Sequence, residues 1–124
     1  MSLETPLHRV QGLGSAHAGV THFWRERVTA AALIPLSAWL VLSVLRLIGT
    51  SEAEAAGFFQ RPWNAVFMGL FVLVTCIHMT LGLQVVIDDY IHRPGRKIVL
   101  LLLNRAFAWL VGAISLVALL RIVI

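Results

Sequence analysis

Charge is what this sequence has least of. Only 13% of its 124 residues are Asp, Glu, Lys or Arg, where a soluble domain of this length carries about a quarter. With 59% of the residues hydrophobic, too little polar surface exists to cover a water-soluble globule, and lipid is the implied solvent. Cysteine is nearly absent. The lone Cys76 excludes an intrachain disulfide and a thiolate metal cage, and inside an apolar run it reads as a small packing residue. No basic stripe alternates with aromatics, which excludes a nucleic-acid surface. The N-terminal stretch lacks an early apolar core, so it does not read as a cleaved signal peptide and is expected to remain on the mature protein. Its Gly12-Leu13-Gly14-Ser15 has no strand pattern before it and no Lys-Ser/Thr after it, so a loop is expected there rather than a phosphate site.

What is present is three apolar runs with the charges gathered at their ends. The first extends from about Val28 to Ile48, with Pro35 inside it as an expected kink and Arg46 able to snorkel at its far end. The second covers about 63–88, and from Pro62 to Ile87 it holds no Asp, Glu, Lys or Arg. The third covers about 98–123. Each is long enough for a hydrocarbon core of ~30 Å at ~1.5 Å per residue. The expected fold is an all-α membrane protein, three transmembrane helices in an up-down-up bundle, with residues 1–27 as a cytoplasmic tail and 28–124 as the membrane domain. Ser51 to Arg61 reads as an interfacial loop with Phe58, Phe59 and Trp63 dipping toward the headgroups, and Pro94-Gly95 as the turn before the third helix. Trp24, Trp39, Trp63 and Trp109 read as belt or packing residues. Lys and Arg set the orientation: Arg9, Arg25, Arg27, Arg93, Arg96 and Lys97 fall on one side, against Arg46, Arg61 and Arg121 on the other. That bias predicts a cytoplasmic N-terminus.

The chemistry is concentrated in the second run. His78 lies in its middle, where an ionisable side chain is costly and should face the bundle interior with a partner. At ~100° per residue, His78, Gly82 and Asp89 fall within about 40° on the helix face. A glycine one turn from a histidine leaves room for a flat macrocycle, so one reading is a haem whose iron sits on the imidazole. The other is a histidine hydrogen-bonded across helices, with Gly82 allowing close packing. Spacing alone leaves both open. Asp88, Asp89 and Tyr90 end the same helix. They read either as interfacial anchors, the acids neutralising Arg93, Arg96 or Arg105, or as a polar pocket in which Tyr90 hydrogen-bonds a quinone carbonyl and an Asp relays protons. Arg105 reads as snorkelling to the interface.

This pattern of a mid-helix His78, then Gly82 and Gln84, then Asp89-Tyr90 with the Tyr twelve residues after the His, resembles the small cytochrome-b anchor subunits of succinate dehydrogenase, respiratory complex II. The tail GSAHAGVTHFWRERVTA, with Arg27-Val28-Thr29-Ala30, resembles that family's segment before its first helix, so the likeness covers nearly the whole chain. The resemblance implies that His78 is one axial ligand of haem b, the iron's second ligand coming from the larger cytochrome b anchor subunit. It implies that Arg27 lies near a haem propionate, and that Tyr90, with Asp89 beside it, hydrogen-bonds ubiquinone. His22 is a weaker propionate candidate, and His8, His17 and His92 receive no role. A flavoprotein subunit and an iron–sulfur subunit would be the soluble partners, in a bacterial inner membrane. A fumarate reductase anchor is the same class run in reverse. A small proton or ion transporter using His78, Gln84 and Asp89, and a cofactor-free structural anchor, are the rivals from other classes.

Overall fold

The computed structural model of the protein describes residues 5–11 and 19–124. The Gly12–Ser15 segment, His17, and the side chains of His8 and Arg9 lie outside what it describes. The described residues contain five helices and no strand: α1 (Pro6–Gln11), α2 (Gly19–Leu47), α3 (Glu52–Gln60), α4 (Pro62–Tyr90) and α5 (Pro94–Val123). Three of them, α2, α4 and α5, are long and apolar enough to cross a membrane.

The boundaries follow local rules more than hydropathy. Helix α2 begins at Gly19 rather than Val28, because Thr21 to Arg27 hold no helix breaker and the helix runs out of the apolar zone through the charged Arg25-Glu26-Arg27. It is continuous through Pro35. It stops at Leu47, and Gly49 follows at φ +81°, the left-handed conformation that only glycine adopts at little cost. Helices α4 and α5 both begin on a proline, Pro62 and Pro94. The preceding Arg61 and Arg93 are extended, at ψ 127° and 118°, as the residue before a proline must be to avoid the ring. Pro94-Gly95 therefore opens a helix instead of forming a turn, and the connection shortens to Ile91, His92 and Arg93.

The expected loop between the first two spans is a helix. Ser51 caps α3: its hydroxyl accepts from the Glu54 backbone N–H at 3.3 Å, and its own N–H donates to the Glu54 carboxylate at 2.9 Å. This reciprocal pair holds the Glu54 carboxyl below the usual carboxylate range, chiefly through the Ser51 backbone bond and then through its hydroxyl. A depressed folded pKa means that the stabilisation is complete above the ordinary carboxylate pKa and is lost as pH falls through the lowered value. Ser51→Ala should cost the cap about 1 kcal/mol, read as amide hydrogen exchange across α3 accelerated roughly fivefold. In the wild type the protection of α3, corrected for the intrinsic slowing of exchange in acid, should fall as pH drops through the lowered Glu54 value. Exchange unchanged in both cases would remove the cap from the account of α3.

Helix α3 is tied at both ends of its neighbourhood. Asn64 Nδ2 of α4 donates to the Phe58 carbonyl at 2.8 Å, and Gln60 Nε2 donates to the Ile122 carbonyl of α5 at 3.2 Å.

The packing inverts the order of a soluble core. Buried residues among those described are Ser43, Asn104, Ala108 and Gly112, all small or polar, while large apolar side chains from α2, α4 and α5 face outward. In lipid no hydrophobic gain separates leucine inside from leucine outside, so helices meet through small residues and hydrogen bonds. Helix α4 lies against both others. Thr29 meets His78 and Trp39 meets Phe67, so rising numbers in α2 match falling numbers in α4. Asn104 meets Thr80 and Gly112 meets Cys76, giving the same sense for α4 and α5. Both neighbouring pairs are antiparallel. The Trp39 ring is half-buried against Phe67 at 5.5 Å between centroids, whereas Trp24, Trp63 and Trp109 are exposed.

Of the described glycines, Gly112 is the one most closely approached by a neighbouring helix. A Cβ there would stand 3.4 Å from Cys76 Sγ, a contact that alanine tolerates and a branched side chain does not. Gly112→Ile should destabilise the α4–α5 pair by roughly 1–3 kcal/mol and lower the thermal midpoint of the detergent-solubilised protein, with Gly112→Ala near wild type. Equal midpoints for Ile and Ala would mean that this contact does not set the helix spacing.

Candidate functional site

His78 sits on the α2-facing side of α4, half-buried. Its Nδ1 is 2.9 Å from Thr29 Oγ1, across the helix pair. The interhelical hydrogen bond weighed for this histidine is therefore present, made by one of its two ring nitrogens. Gly82, one turn along, does not serve close packing: a Cβ there would meet nothing within 4 Å. The close approaches fall instead at Gly112 and at Gly69, whose Cβ would lie 3.7 Å from the Leu119 side chain. Beside Gly82 itself, the described residues leave open space.

The end of α4 is electrostatically ordered. Asp88 Oδ1 pairs with Lys97 Nζ at 2.7 Å, so the acid is neutralised by the first turn of α5 rather than by Arg93, Arg96 or Arg105. This placement also relieves a conflict, since an anion at a helix C-terminus opposes the macrodipole. Asp89 and Tyr90 are exposed, Tyr90 at 76%. Among the described residues no hydrogen bond or ion pair joins Asp89, Tyr90 or Arg27 to His78. The Arg27 guanidinium lies 5.1 Å over the Phe23 ring, one turn back on α2. Two residues before Thr29, it is turned to the other side of that helix. His22 is half-buried, and its Nε2 is enclosed without a hydrogen-bond partner. Gln84 is half-buried, while His92 and Arg105 are exposed.

Two polar residues escaped the sequence reading. Thr29 was visible only as part of a four-residue likeness. Asn104, 7% exposed, donates from Nδ2 to the Thr80 carbonyl at 2.9 Å while its Oδ1 has no partner. Asparagine in an apolar run was the available signal for the second. Among the described residues, no three His, Cys, Asp or Glu side chains gather as a metal cluster.

Comparison with known proteins places residues 1–120 under the model for the succinate dehydrogenase/fumarate reductase transmembrane subunit. The chain is 38% identical over 117 residues to the succinate dehydrogenase hydrophobic membrane anchor subunit of Paracoccus denitrificans, covering 94% of this chain and 90% of that one. It is 32% identical over 83 residues to the protein of the same name from Rickettsia bellii, covering 67% of this chain and 66% of that one. It is also 30% identical over 94 residues to the succinate dehydrogenase membrane anchor subunit of Reclinomonas americana, covering 73% and 78%. No solved structure matches the chain.

Proposed function

The chain belongs to the succinate dehydrogenase/fumarate reductase transmembrane subunit family and is a multi-pass membrane anchor of that class; on that footing we propose that it holds one side of a haem b through His78 and contributes Asp89 and Tyr90 to a quinone-reduction site. The observation that carries the reading is the state of the histidine. Among the described residues only Nδ1 is engaged, which leaves Nε2 as the ring nitrogen for a metal, and the space beside the neighbouring Gly82 is open. The residues present fit the group.

Haem b supplies one-electron storage between the soluble redox centres and the quinone. The rest belongs to side chains. His78 is carried on a rigid helix and held by a partner on a second helix, so its ring is fixed in position. The ion pair with Lys97 occupies Asp88, and Asp89 and Tyr90 are the exposed polar groups beside it at the helix end. Tyr90 donates its phenol hydrogen to a quinone carbonyl, and Asp89 passes a proton from the aqueous side. Their exposure in the isolated chain fits a pocket completed by other subunits. The proposed partners are a flavoprotein subunit, an iron–sulfur subunit and a larger cytochrome b anchor, which would share the holding of the haem with His78. Arg27, turned away from His78 in this chain and lying over Phe23, would offer its charge to a haem propionate. The basic residues near the start of α2 and at the start of α5 support a cytoplasmic N-terminus, in a bacterial inner membrane. Ubiquinone is the proposed acceptor and succinate oxidation the proposed direction.

The test is a dithionite-reduced minus oxidised visible spectrum of the purified complex. A b-type band at one haem per anchor pair supports the reading. A colourless complex that still reduces quinone would leave a quinone-site anchor without haem.

A further inference from the structure

From the hydrogen-bond count around one hydroxyl we infer that Thr29 is the positioning residue for the iron ligand: it fixes the proton of His78 on Nδ1, turns Nε2 outward as a lone pair, and thereby sets the redox potential of the haem. The inference rests on the haem reading above and adds to it the residue that tunes the ligand.

Thr29 Oγ1 has three neighbours. It lies 2.8 Å from the Arg25 carbonyl, 3.0 Å from the Glu26 carbonyl and 2.9 Å from His78 Nδ1. A threonine hydroxyl has one hydrogen. Two of the three neighbours are carbonyl oxygens, which only accept, and both lie in the preceding turn of the same helix, where threonine hydroxyls bond back to the backbone. The hydrogen is therefore spent on the Arg25–Glu26 pair, and Oγ1 presents a lone pair to His78. Nδ1 must then carry a hydrogen and donate it. In a neutral imidazole the other nitrogen is left unprotonated, and that is the form in which Nε2 binds a metal. The proton's place on His78 is thus dictated by the backbone of α2, through one hydroxyl.

Two consequences follow for a bound iron. A hydrogen bond from Nδ1–H makes the imidazole a stronger donor, which favours the oxidised metal and lowers its potential. The bond also holds the ring's plane, because Thr29 is β-branched and its χ1 is restricted within a helix. The same contact makes the start of α2, just after the Arg25–Arg27 stretch, part of the redox site although it carries no ligand.

The test is potentiometric titration of the b-type band in the purified complex, comparing wild type, Thr29→Val and Thr29→Ser. Valine keeps the shape and removes the acceptor, so the reduced-to-oxidised ratio at a fixed potential should rise by about tenfold, equivalent to 59 mV for one electron. Serine keeps the hydroxyl and should titrate with the wild type. The haem-to-protein ratio is measured alongside, and valine should lower it while serine does not. Valine and wild type titrating together at equal haem content would overturn the inference and leave Thr29 a packing residue. If the valine variant does not assemble, Thr29→Cys, a weak acceptor of similar size, should titrate above Thr29→Ser, and coincident curves overturn the inference equally. A wild-type complex with no b-type band fails at the earlier step, the haem reading itself, and takes this inference with it.

Discussion

Complexes carrying His78→Ala are expected to assemble in the membrane but to lose the low-spin b-type band in the reduced minus oxidised spectrum. Losing a partner one bond removed from a metal already costs roughly 10–100-fold in affinity, and removing the ligand itself should exceed that. Haem per assembled complex should thus fall more than tenfold, or the residual haem should shift to a spectrum with one ligand missing. The substitution also deletes the acceptor–donor contact to Thr29, so some loosening of α2 against α4 is expected. His78→Gln separates the two effects, since its amide can still meet the Thr29 hydroxyl while it ligates iron poorly. A full-strength, unshifted band in His78→Ala would place the iron elsewhere and return His78 to an interhelical packing role.

The second large effect is expected at the end of the same helix. Tyr90→Phe removes one hydroxyl from a side chain that is mostly exposed in this chain, so folding should be indifferent. Quinone reduction should not be. A hydrogen bond to a carbonyl that gains charge as electrons arrive contributes about 1.5–3 kcal/mol, and its loss corresponds to a fall of roughly 10–100-fold in kcat/KM for the quinone. Succinate oxidation with a soluble dye as acceptor, which bypasses the membrane, should stay at the wild-type rate, and the b-type band should be unchanged. Equal quinone rates in Tyr90→Phe and wild type would assign Tyr90 to interface anchoring, the role its position would otherwise suggest.

The three spans were legible because composition alone decides them: a stretch such as Pro62 to Ile87 without one charge has no stable place except lipid. Their ends were not, because hydropathy marks where the bilayer begins and says nothing about where a helix does. Arg25, Glu26 and Arg27 are charged and helical at once. Proline rules would have corrected the start of α5, as Arg93 and Pro94 obey them fully. Helix α3 was missed for a different reason. Its composition is mixed and it is short, and its signal was a capping box, Ser51 with Glu54 three residues on, which hydropathy does not register. His78 could be singled out because an ionisable group at mid-span is conspicuous. Thr29 and Asn104 could not be paired with anything, since a contact between α2 and α4 or between α4 and α5 depends on helix rotation and axial alignment, which no single segment encodes. The salt bridge from Asp88 to Lys97 was misassigned to the arginines on the same ground: the three-residue connection brings Lys97 round to Asp88, and sequence distance did not distinguish it from its neighbours.

That axial alignment has a mechanical meaning. Leucines and valines facing lipid are nearly indifferent to a helix sliding along its own axis, because one methyl neighbour replaces another. Among the contacts that are not indifferent are two mid-span hydrogen bonds, Thr29 to His78 and Asn104 to the Thr80 carbonyl. Both engage α4 within a single turn, from opposite partner helices. A slip of one residue, about 1.5 Å, would break either. Helix α4 is therefore latched to both neighbours at the level of His78, and the bundle can tilt or splay about that level far more readily than it can piston through it.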